Sequence, residues 1–255
     1  MNSKNNVLMG TRDLTGGYDA DRILENVSME VFCGEVLVIV GRSGCGKSTL
    51  MNHLLGLLKP WEGTVMYRGT DIWESPERLD RARKKWGVLF QSGALLGSYT
   101  TIENVMLPLQ EFTSLTTDER RITALHKLDM VGLADFAHYY PLELSGGMQK
   151  RAGLARAMAL DPEVLFFDEP SAGLDPVTSH SLDELMLSIN KTLGTTLVVV
   201  THELDSIFAI SDRVIMLDAE EKGIIAVGSP EDLAAYHNDP RVEAFFDRKA
   251  VPTRS

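Results

Sequence analysis

The chain has 255 residues, 44% of them hydrophobic, and carries a formal net charge of -11 at pH 7. Length and composition predict a single two-lobed domain with one substantial core. The acidic balance would repel a nucleic-acid backbone, so we expect no nucleic acid among the partners.

Residues 1–13 contain no apolar run of the kind found in leader sequences. No later segment reaches the roughly 18 uncharged apolar residues that a membrane span requires, so we expect a soluble cytosolic chain. Cys33 and Cys45 are too few for a disulfide framework, and we expect reduced thiols.

Three short apolar runs predict buried strands of a parallel sheet. In chain order they are residues 36–40, 164–167 and 196–200. Polar residues follow each run, and in open α/β sheets ligands bind beyond the carboxyl ends of the strands. We therefore expect the functional residues directly after these runs.

The rest of the chain divides into a helical lobe, a hairpin and a tail. Apolar residues recur three and four positions apart between residues 91 and 160, which predicts a helical lobe inserted in the sheet. A hairpin is predicted over residues 214–227, with its turn at residues 220–223, and a helical tail begins at Pro230. We expect one domain over residues 1–255, with a core of residues 1–90 and 161–229, the lobe at 91–160 and the tail at 230–255.

A glycine-rich turn follows the first of these strands, where residues 41–48 read GRSGCGKS. Such glycines let successive backbone N–H groups point at one phosphate concavity, while Lys47 reaches the β- and γ-phosphates of ATP and Ser48 ligates Mg²⁺. A turn without a ligand is the alternative. We expect the thiol of Cys45 to face the concavity. The predicted nucleotide-binding residues of this turn are Gly41, Arg42, Ser43, Gly44, Cys45, Gly46, Lys47, Ser48 and Thr49.

Two adjacent acidic residues, Asp168 and Glu169, end the strand VLFFDEP. Asp168 emerges at the sheet edge, where it can hold the water shell of Mg²⁺. Glu169 would then point at the attacking water as general base, because two neighbouring acids in different environments can play different parts. An exposed acidic turn is the alternative.

Two further side chains follow strands at the same predicted edge. His202 closes the run TLVVVTH, from which it could reach the γ-phosphate and the water beside Glu169. Gln91 follows GVLF, where it can contact Mg²⁺ or the water and link the nucleotide to the lobe. Taken alone, His202 would be a structural histidine and Gln91 a surface residue.

The sequence LSGGM at residues 144–148 precedes a predicted helix over residues 148–160. Ser145 can cap this helix, while the free N–H groups of Gly146 and Gly147 and the helix dipole meet an anion. A capped helix without a ligand is the alternative. We also predict nucleotide contacts for Gln149 and for Tyr18, whose ring could stack on adenine or simply lie exposed in a Gly-Gly turn.

These motifs, in this order over almost the whole chain, resemble those of ATP-binding cassette domains. The resemblance implies an α/β P-loop NTPase fold with a mainly parallel sheet flanked by helices, an N-terminal antiparallel β portion and an inserted helical lobe. It implies ATP hydrolysis coupled to transport, with ATP and Mg²⁺ as cofactors. It also implies a homodimer that binds two ATP molecules head to tail, residues 145–147 of one copy facing residues 41–49 of the other. Asp175, in SAGLDP, would lie at the contact between the copies.

A narrower resemblance is to the ATPases of bacterial lipid transporters of the Mla and Mce type. It is carried by VLFQSGALLGSYTTIENVMLPL, LSGGMQKRAGLARAMALDPEVLFFDEPSAGLDP and THELDSIFAISDRV. It implies phospholipid movement between the inner and outer membranes, from the cytoplasmic face of the inner membrane. The implied partners are a transmembrane permease docking near residues 93–108, an Mce-domain lipid-binding protein and a small STAS-domain protein. The tail at residues 248–255 is short for a role in dimer contacts.

Three other functions compete with lipid transport. An ATPase for another solute comes first, because this chain would not touch the cargo. A non-transport cassette protein acting on ribosomes or DNA usually has two cassettes or a coiled-coil insertion, and neither is visible here. In a small-molecule P-loop kinase, the LSGG and SAGLD motifs would have no function.

Overall fold

The computed structural model describes residues 6–247. Its strands are β1 (Val7–Tyr18), β2 (Asp21–Phe32), β3 (Val36–Val40), β4 (Glu62–Tyr67), β5 (Thr70–Asp71), β6 (Trp86–Leu89), β7 (Val164–Asp168), β8 (Thr196–Val200), β9 (Arg213–Asp218) and β10 (Gly223–Gly228). Its α-helices are α1 (Lys47–Leu54), α2 (Pro76–Arg83), α3 (Thr101–Phe112), α4 (Thr117–Met130), α5 (Gly146–Ala157), α6 (Pro176–Leu193), α7 (Leu204–Ile210), α8 (Pro230–Ala234) and α9 (Pro240–Phe246). Short 3-10 turns lie at Ala134–Phe136 and Pro141–Glu143.

The larger sheet has six strands in the order β10-β9-β3-β8-β7-β6. Its strands run parallel except for the edge strand β10, which pairs antiparallel with β9. Alternate residues of β3 enter different core clusters, Val36 and Val38 on one face and Leu37 and Ile39 on the other. Side chains of a strand alternate between faces, so an apolar run without alternation requires cover on both. The three predicted parallel strands are confirmed.

A smaller antiparallel sheet, in the order β2-β1-β4-β5, covers one face of the larger sheet. Aromatic rings join the two sheets: Tyr67 of β4 lies 5.5 Å from Trp86 of β6, and Trp86 lies 6.1 Å from Phe166 of β7. Both contacts are edge-to-face, the geometry that ring quadrupoles favour. This sheet is the antiparallel portion that the family resemblance implied.

The middle of the chain forms the predicted helical lobe, with helices α3, α4 and α5. Two of these helices begin at capping boxes, in which Thr100 pairs with Glu103 and Thr116 with Glu119. Each box satisfies free backbone N–H groups at a helix start, which is why the helices begin there. Helix α5 packs against α3, α4 and β6, so the lobe is joined to the sheet at the β6 edge. The exact limits proposed for the lobe stay a prediction.

The last part of the chain matches the predicted hairpin and helical tail. Strands β9 and β10 pair with Gly223 opposite Asp218, and Asp218 Oδ1 accepts from the backbone N–H of Glu220 at 3.0 Å within the turn. Helix α8 begins at Pro230, and α9 follows it. Residues 248–255 lie outside the described residues. Within residues 6–247, no helix has the length and apolar character needed to cross a membrane.

Candidate functional site

The glycine-rich turn joins β3 to α1 and depends on backbone conformations that favour glycine. Gly41, Gly44 and Gly46 have φ values of 144°, 81° and 100°. A Cβ at Gly41 would lie 2.4 Å from the carbonyl oxygen of Leu217, and one at Gly46 would lie 2.8 Å from Leu24 Cδ2. A larger residue at either position would therefore clash with its neighbours and would also adopt an unfavourable φ.

Lys47 is the first residue of α1, and its side chain turns back over the loop. Its Nζ donates to the carbonyl oxygens of Gly41 at 2.9 Å and Arg42 at 3.2 Å. Helix α1 starts without a side-chain cap, because Gly46 occupies the N-cap position. Free N–H groups and a cation thus converge at one helix start, an arrangement that binds phosphate.

A cavity of about 310 Å³ lies over this loop, at the carboxyl ends of β3, β7 and β8. Its lining residues are Ile23, Ser43, Gly44, Gly46, Lys47, Ser48, Thr49, Asp168, Glu169 and Val200. A larger cavity of about 510 Å³ lies along β1 and β2 and contains none of the predicted site residues. The position of the chemical groups, and not cavity size, identifies the smaller one as the candidate site.

The two acidic residues of DEP lie side by side in this cavity. Burial raises the pKa of Asp168, and the charge of Glu169 raises it further, while Lys47 and Lys150 oppose the shift. Glu169 has a φ of 47° and donates its backbone N–H to the carbonyl oxygen of Val200 at 2.9 Å. A left-handed glutamate is a strained conformation of the kind found at functional sites.

His202 contacts Glu169 directly. Its Nδ1 lies 2.9 Å from Oε2 and 3.0 Å from Oε1, and the Oε1 contact has the angles of a hydrogen bond. The imidazole is 58% exposed, whereas the Glu169 side chain is 17% exposed. The structure thus brings together the predicted base and the predicted histidine. Gln91 lies exposed beyond β6 at the same sheet edge, outside the cavity lining.

Ser145 and the residues after it lie outside the cavity. Ser145 caps α5 by accepting from Met148 N–H at 3.3 Å, and the helix begins at Gly146, two residues earlier than predicted. A Cβ at Gly147 would lie 2.5 Å from Thr178 Cγ2, so α5 and α6 start side by side. Asp175 caps α6 through the N–H groups of Val177 and Thr178, both at 3.1 Å.

Two residues predicted to contact nucleotide, Gln149 and Tyr18, have hydrogen-bond partners within the chain, and their nucleotide contacts stay predictions. Gln149 Nε2 donates to the carbonyl oxygens of Pro141 at 3.0 Å and Leu144 at 3.2 Å, so its amide holds the turn before α5. Tyr18 is the last residue of the twelve-residue strand β1, so the two glycines before it lie in a strand and not in a turn. Its hydroxyl accepts from Asn52 Nδ2 at 2.9 Å and its ring is 44% exposed. Stacking on adenine stays a prediction for Tyr18.

The expectation that the Cys45 thiol faces the phosphate concavity is wrong. Cys45 is 1% exposed and belongs to the core cluster between the two sheets. Burial raises the pKa of this thiol, with Lys47 opposing. Arg42 is exposed and points to another side of the loop, near Pro240 and Arg241.

The sequence does not single out two buried or hydrogen-bonded cations of α5, Lys150 and Arg156. Lys150 is 5% exposed, and its Nζ has no hydrogen-bond partner among the described residues. Burial lowers the pKa of Lys150, while Asp168 and Glu169 oppose the shift. Arg156 donates to the carbonyl oxygens of Gly93 and Ala94. Basic residues on a helix indicate a solvated face, so no pattern in the sequence singled them out.

Comparisons with known proteins agree with this geometry. Residues 24–172 match the family described as ABC transporter. The probable ribonucleotide transport ATP-binding protein mkl of Mycobacterium leprae is 39% identical over 246 residues, 96% of this chain and 70% of the relative. The protein of the same name from Mycobacterium tuberculosis H37Rv is covered to 66% of its length. The intermembrane phospholipid transport system ATP-binding protein MlaF of Escherichia coli K12 is 40% identical over 241 residues, 94% of this chain and 88% of the relative.

A solved structure shares the fold. It is the dimeric post-hydrolysis state of the ATP-binding cassette MJ0796 bound to ADP and Pi. It is 32% identical, has a TM-score of 0.78, and the match covers 88% of this chain and 99% of that one. The phosphate loop and the acid pair also line one cavity, and the histidine contacts Glu169 of that pair. The chain therefore belongs to the ABC transporter family, as a cassette subunit that binds and hydrolyses ATP.

Proposed function

We propose that the chain works as a homodimer, with each ATP held between the phosphate loop of one copy and residues 145–147 of the other. The observation that supports this proposal is that, within one chain, the start of α5 lies outside the cavity that contains the phosphate loop. Lys47, Asp168 and Glu169 line one cavity, whereas Ser145 and Gly146 are exposed and lie outside it. The start of α5 suits an anion that its own chain does not supply there. The dimer of MJ0796 bound to ADP and Pi supports the arrangement.

Within each site, Lys47 and the loop N–H groups hold the β- and γ-phosphates. Glu169 accepts the proton of the attacking water, and His202 orients its carboxylate through the 3.0 Å contact to Oε1. Gln91, at the end of β6, reports the state of the γ-phosphate to the lobe. Asp175, on the exposed start of α6, lies at the contact between copies.

The residues at the phosphate loop also fit a magnesium ion. Ser48 and Asp168 line the same cavity, and a cation beside Asp168 would oppose the burial and the charge of Glu169 that raise the pKa of Asp168. Within residues 6–247, no cluster of three His, Cys, Asp or Glu side chains could hold a metal by itself. Ser48, Asp168 and Gln91 would hold Mg²⁺ when it is bound with the nucleotide. The ion would supply positive charge that stabilises the negative charge developing on the phosphates.

The cargo is phospholipid, moved between the inner and outer membranes by a complex on the cytoplasmic face of the inner membrane. The match to MlaF, whose length is 88% covered, supports this cargo. Ribonucleotide is the second candidate, because the mkl relatives carry that name at 39% identity. The partners are a transmembrane permease at the lobe near residues 93–108, an Mce-domain protein and a STAS-domain protein.

The test is purification of the tagged chain from its native membranes, followed by identification of the bound chains and small molecules. We expect a permease, an Mce-domain protein and phospholipid, and ATP turnover that depends on this assembly. A permease recovered with bound ribonucleotide, and with neither lipid nor an Mce-domain chain, would contradict the lipid assignment while leaving the ATPase site intact.

A further inference from the structure

The segment that follows Gln91 is held by a guanidinium from the lobe. Arg156 of α5 donates from Nη1 to the carbonyl oxygen of Ala94 at 2.6 Å and from Nη2 to that of Gly93 at 2.9 Å. Gly93 and Ala94 both lie in the left-handed region, with φ values of 72° and 48°. The two carbonyl oxygens accept from the two terminal nitrogens of one guanidinium, and the planar fork of an arginine suits such a pair of acceptors.

Backbone packing joins the same segment to α5. A Cβ at Gly153 would lie 2.9 Å from the carbonyl oxygen of Gly93, and a Cβ at Gly93 would lie 3.0 Å from that of Gln149. The segment therefore lies directly on the helix backbone, without a side chain between them. Its position is set by α5, the helix that begins at Ser145.

The far end of the segment is held by α3. Asn104, which is 0% exposed, accepts from Leu96 N–H at 2.8 Å and donates to the carbonyl oxygens of Leu96 and Tyr99, both at 3.1 Å, and of Thr100 at 3.0 Å. An amide that uses its donors and acceptor in this way leaves the loop little freedom. Residues 93–100 are thus attached to the lobe at both ends.

We propose that Arg156 is a positioning residue for Gln91. Through its hydrogen bonds to residues 93 and 94, Arg156 makes Gln91 move together with α5, the helix that Ser145 caps. The proposal rests on the proposed function, in which Gln91 acts at the nucleotide of its own chain and Ser145 at that of the other copy. A rotation of the lobe that brings Ser145 to the partner nucleotide then moves Gln91 at the same time. Without the guanidinium, we expect Gln91 to follow this helix less closely and the coupling between the two sites to weaken.

The test compares Arg156→Met and Arg156→Lys with a control on the same helix. Arg151 Nη2 donates to Ser181 Oγ of α6 at 2.7 Å, so Arg151→Met removes a guanidinium whose hydrogen bond goes to α6 and not to Gly93 or Ala94. Amide hydrogen exchange in the full-length chain is measured for residues 90–98. We expect at least about tenfold faster exchange in Arg156→Met, an intermediate rate in Arg156→Lys, and the wild-type rate in Arg151→Met. The N–H of Gly93, which donates to Phe90 at 2.8 Å, is the most direct reporter.

Kinetics then decide whether Arg156 acts through Gln91. We expect Arg156→Met to lower kcat on the order of tenfold with KM for MgATP nearly unchanged, and the double variant with Gln91→Ala to be no slower than Gln91→Ala alone. Thermal unfolding of each variant checks that the fold is kept. Unchanged loop exchange in Arg156→Met, or additive losses of kcat in the double variant, would overturn the positioning role alone. A Gln91→Ala variant with wild-type kcat would overturn the role proposed for Gln91 and the positioning role with it.

Discussion

The imidazole of His202 and the carboxylate of Glu169 meet across the ends of β8 and β7, with Nδ1 3.0 Å from Oε1. The two residues are 33 positions apart in the chain, and both follow strands of the same parallel sheet. Because parallel neighbours end at the same edge, their adjacent strands deliver the acid and the histidine to one point. Glu169 also lines the cavity above the phosphate loop.

The assignment of Glu169 as base predicts that Glu169→Gln keeps ATP binding but loses turnover. An amide cannot accept the proton, so kcat should fall by roughly 10² to 10⁴, the usual effect of a positioned base. Light scattering should then show an ATP-dependent dimer that stays closed. Lys47→Ala is the matched comparison and should lose nucleotide binding itself. Near-normal turnover in Glu169→Gln would show that another group is the base.

The shared-site arrangement predicts that Ser145→Arg binds ATP as a single chain but does not close into an active dimer. A long cation at the start of α5 would occupy the space proposed for the γ-phosphate held by the other copy. Ser145→Ala is the control, since it removes the hydrogen bond to Met148 N–H, worth about 1 kcal/mol of helix stability, without adding bulk. Normal ATP turnover by Ser145→Arg homodimers would be incompatible with a shared site.

The buried position of Cys45 predicts that maleimide reacts with Cys33 first. Cys33 is partly exposed, whereas Cys45 is in the core and burial raises the pKa of its thiol. A thiol of raised pKa forms little of the reactive thiolate near neutral pH. Mass spectrometry should find one modified cysteine in the native chain and two in urea. Rapid labelling of native Cys33→Ser, prevented by MgATP, would place the Cys45 thiol in the phosphate concavity after all.

The buried His53 predicts a loss of stability in mild acid. Its Nδ1 donates to the carbonyl oxygen of Leu58 at 2.8 Å, and within residues 6–247 its buried Nε2 has no hydrogen-bond partner. Burial lowers the pKa of His53 below its usual 6.5, so the unfolded chain binds the proton first. The contribution of His53 to the free energy of unfolding is therefore fully present above about pH 6.5. It declines as pH falls toward the folded-state pKa, by at most about 1.4 kcal/mol per pH unit.

Urea unfolding at pH 5.0 and pH 7.5 measures this effect in the wild-type chain and in His53→Gln, whose amide can still donate to Leu58. The difference between the two pH values should shrink in His53→Gln. The exposed His126 of α4 supplies the control, since His126→Gln should leave the difference unchanged. An equal pH dependence in all three proteins would exclude His53 as its source.

The unpartnered Nζ of Lys150 predicts that a neutral side chain of similar length stabilises the fold. Lys150→Met removes a buried cation that has no hydrogen bond within the described part of the chain, and we expect the free energy of unfolding to rise by roughly 1 kcal/mol. Lys127 is the matched control, because it is equally buried, at 5% exposure, but contacts Asp161 at 2.5 Å. Lys127→Met should destabilise the chain. Urea unfolding of both variants decides the matter, and a loss of stability in Lys150→Met would indicate that its charge is well compensated.

Local patterns in the sequence determined the components of the site. The spacing of glycines in residues 41–48, the acid pair after β7 and the alternation of short apolar runs with polar ends depend on neighbouring residues alone. Such features follow from φ requirements and from side-chain period, so they predict the phosphate loop, the parallel strands and the sheet edge. The helical lobe was predictable for the same reason.

Contacts between distant segments were decided only by the tertiary structure. The thiol of Cys45 lies in the core because the φ values of the flanking glycines set the direction in which each loop side chain points. This direction cannot be read from the order of residues alone. Arg156 meets Gly93 across 63 positions, and Lys150 comes near the acid pair only because α5 packs against the sheet at β6. Residue periodicity shows which face of a helix is apolar, but the partner of a polar side chain depends on which elements pack together in three dimensions.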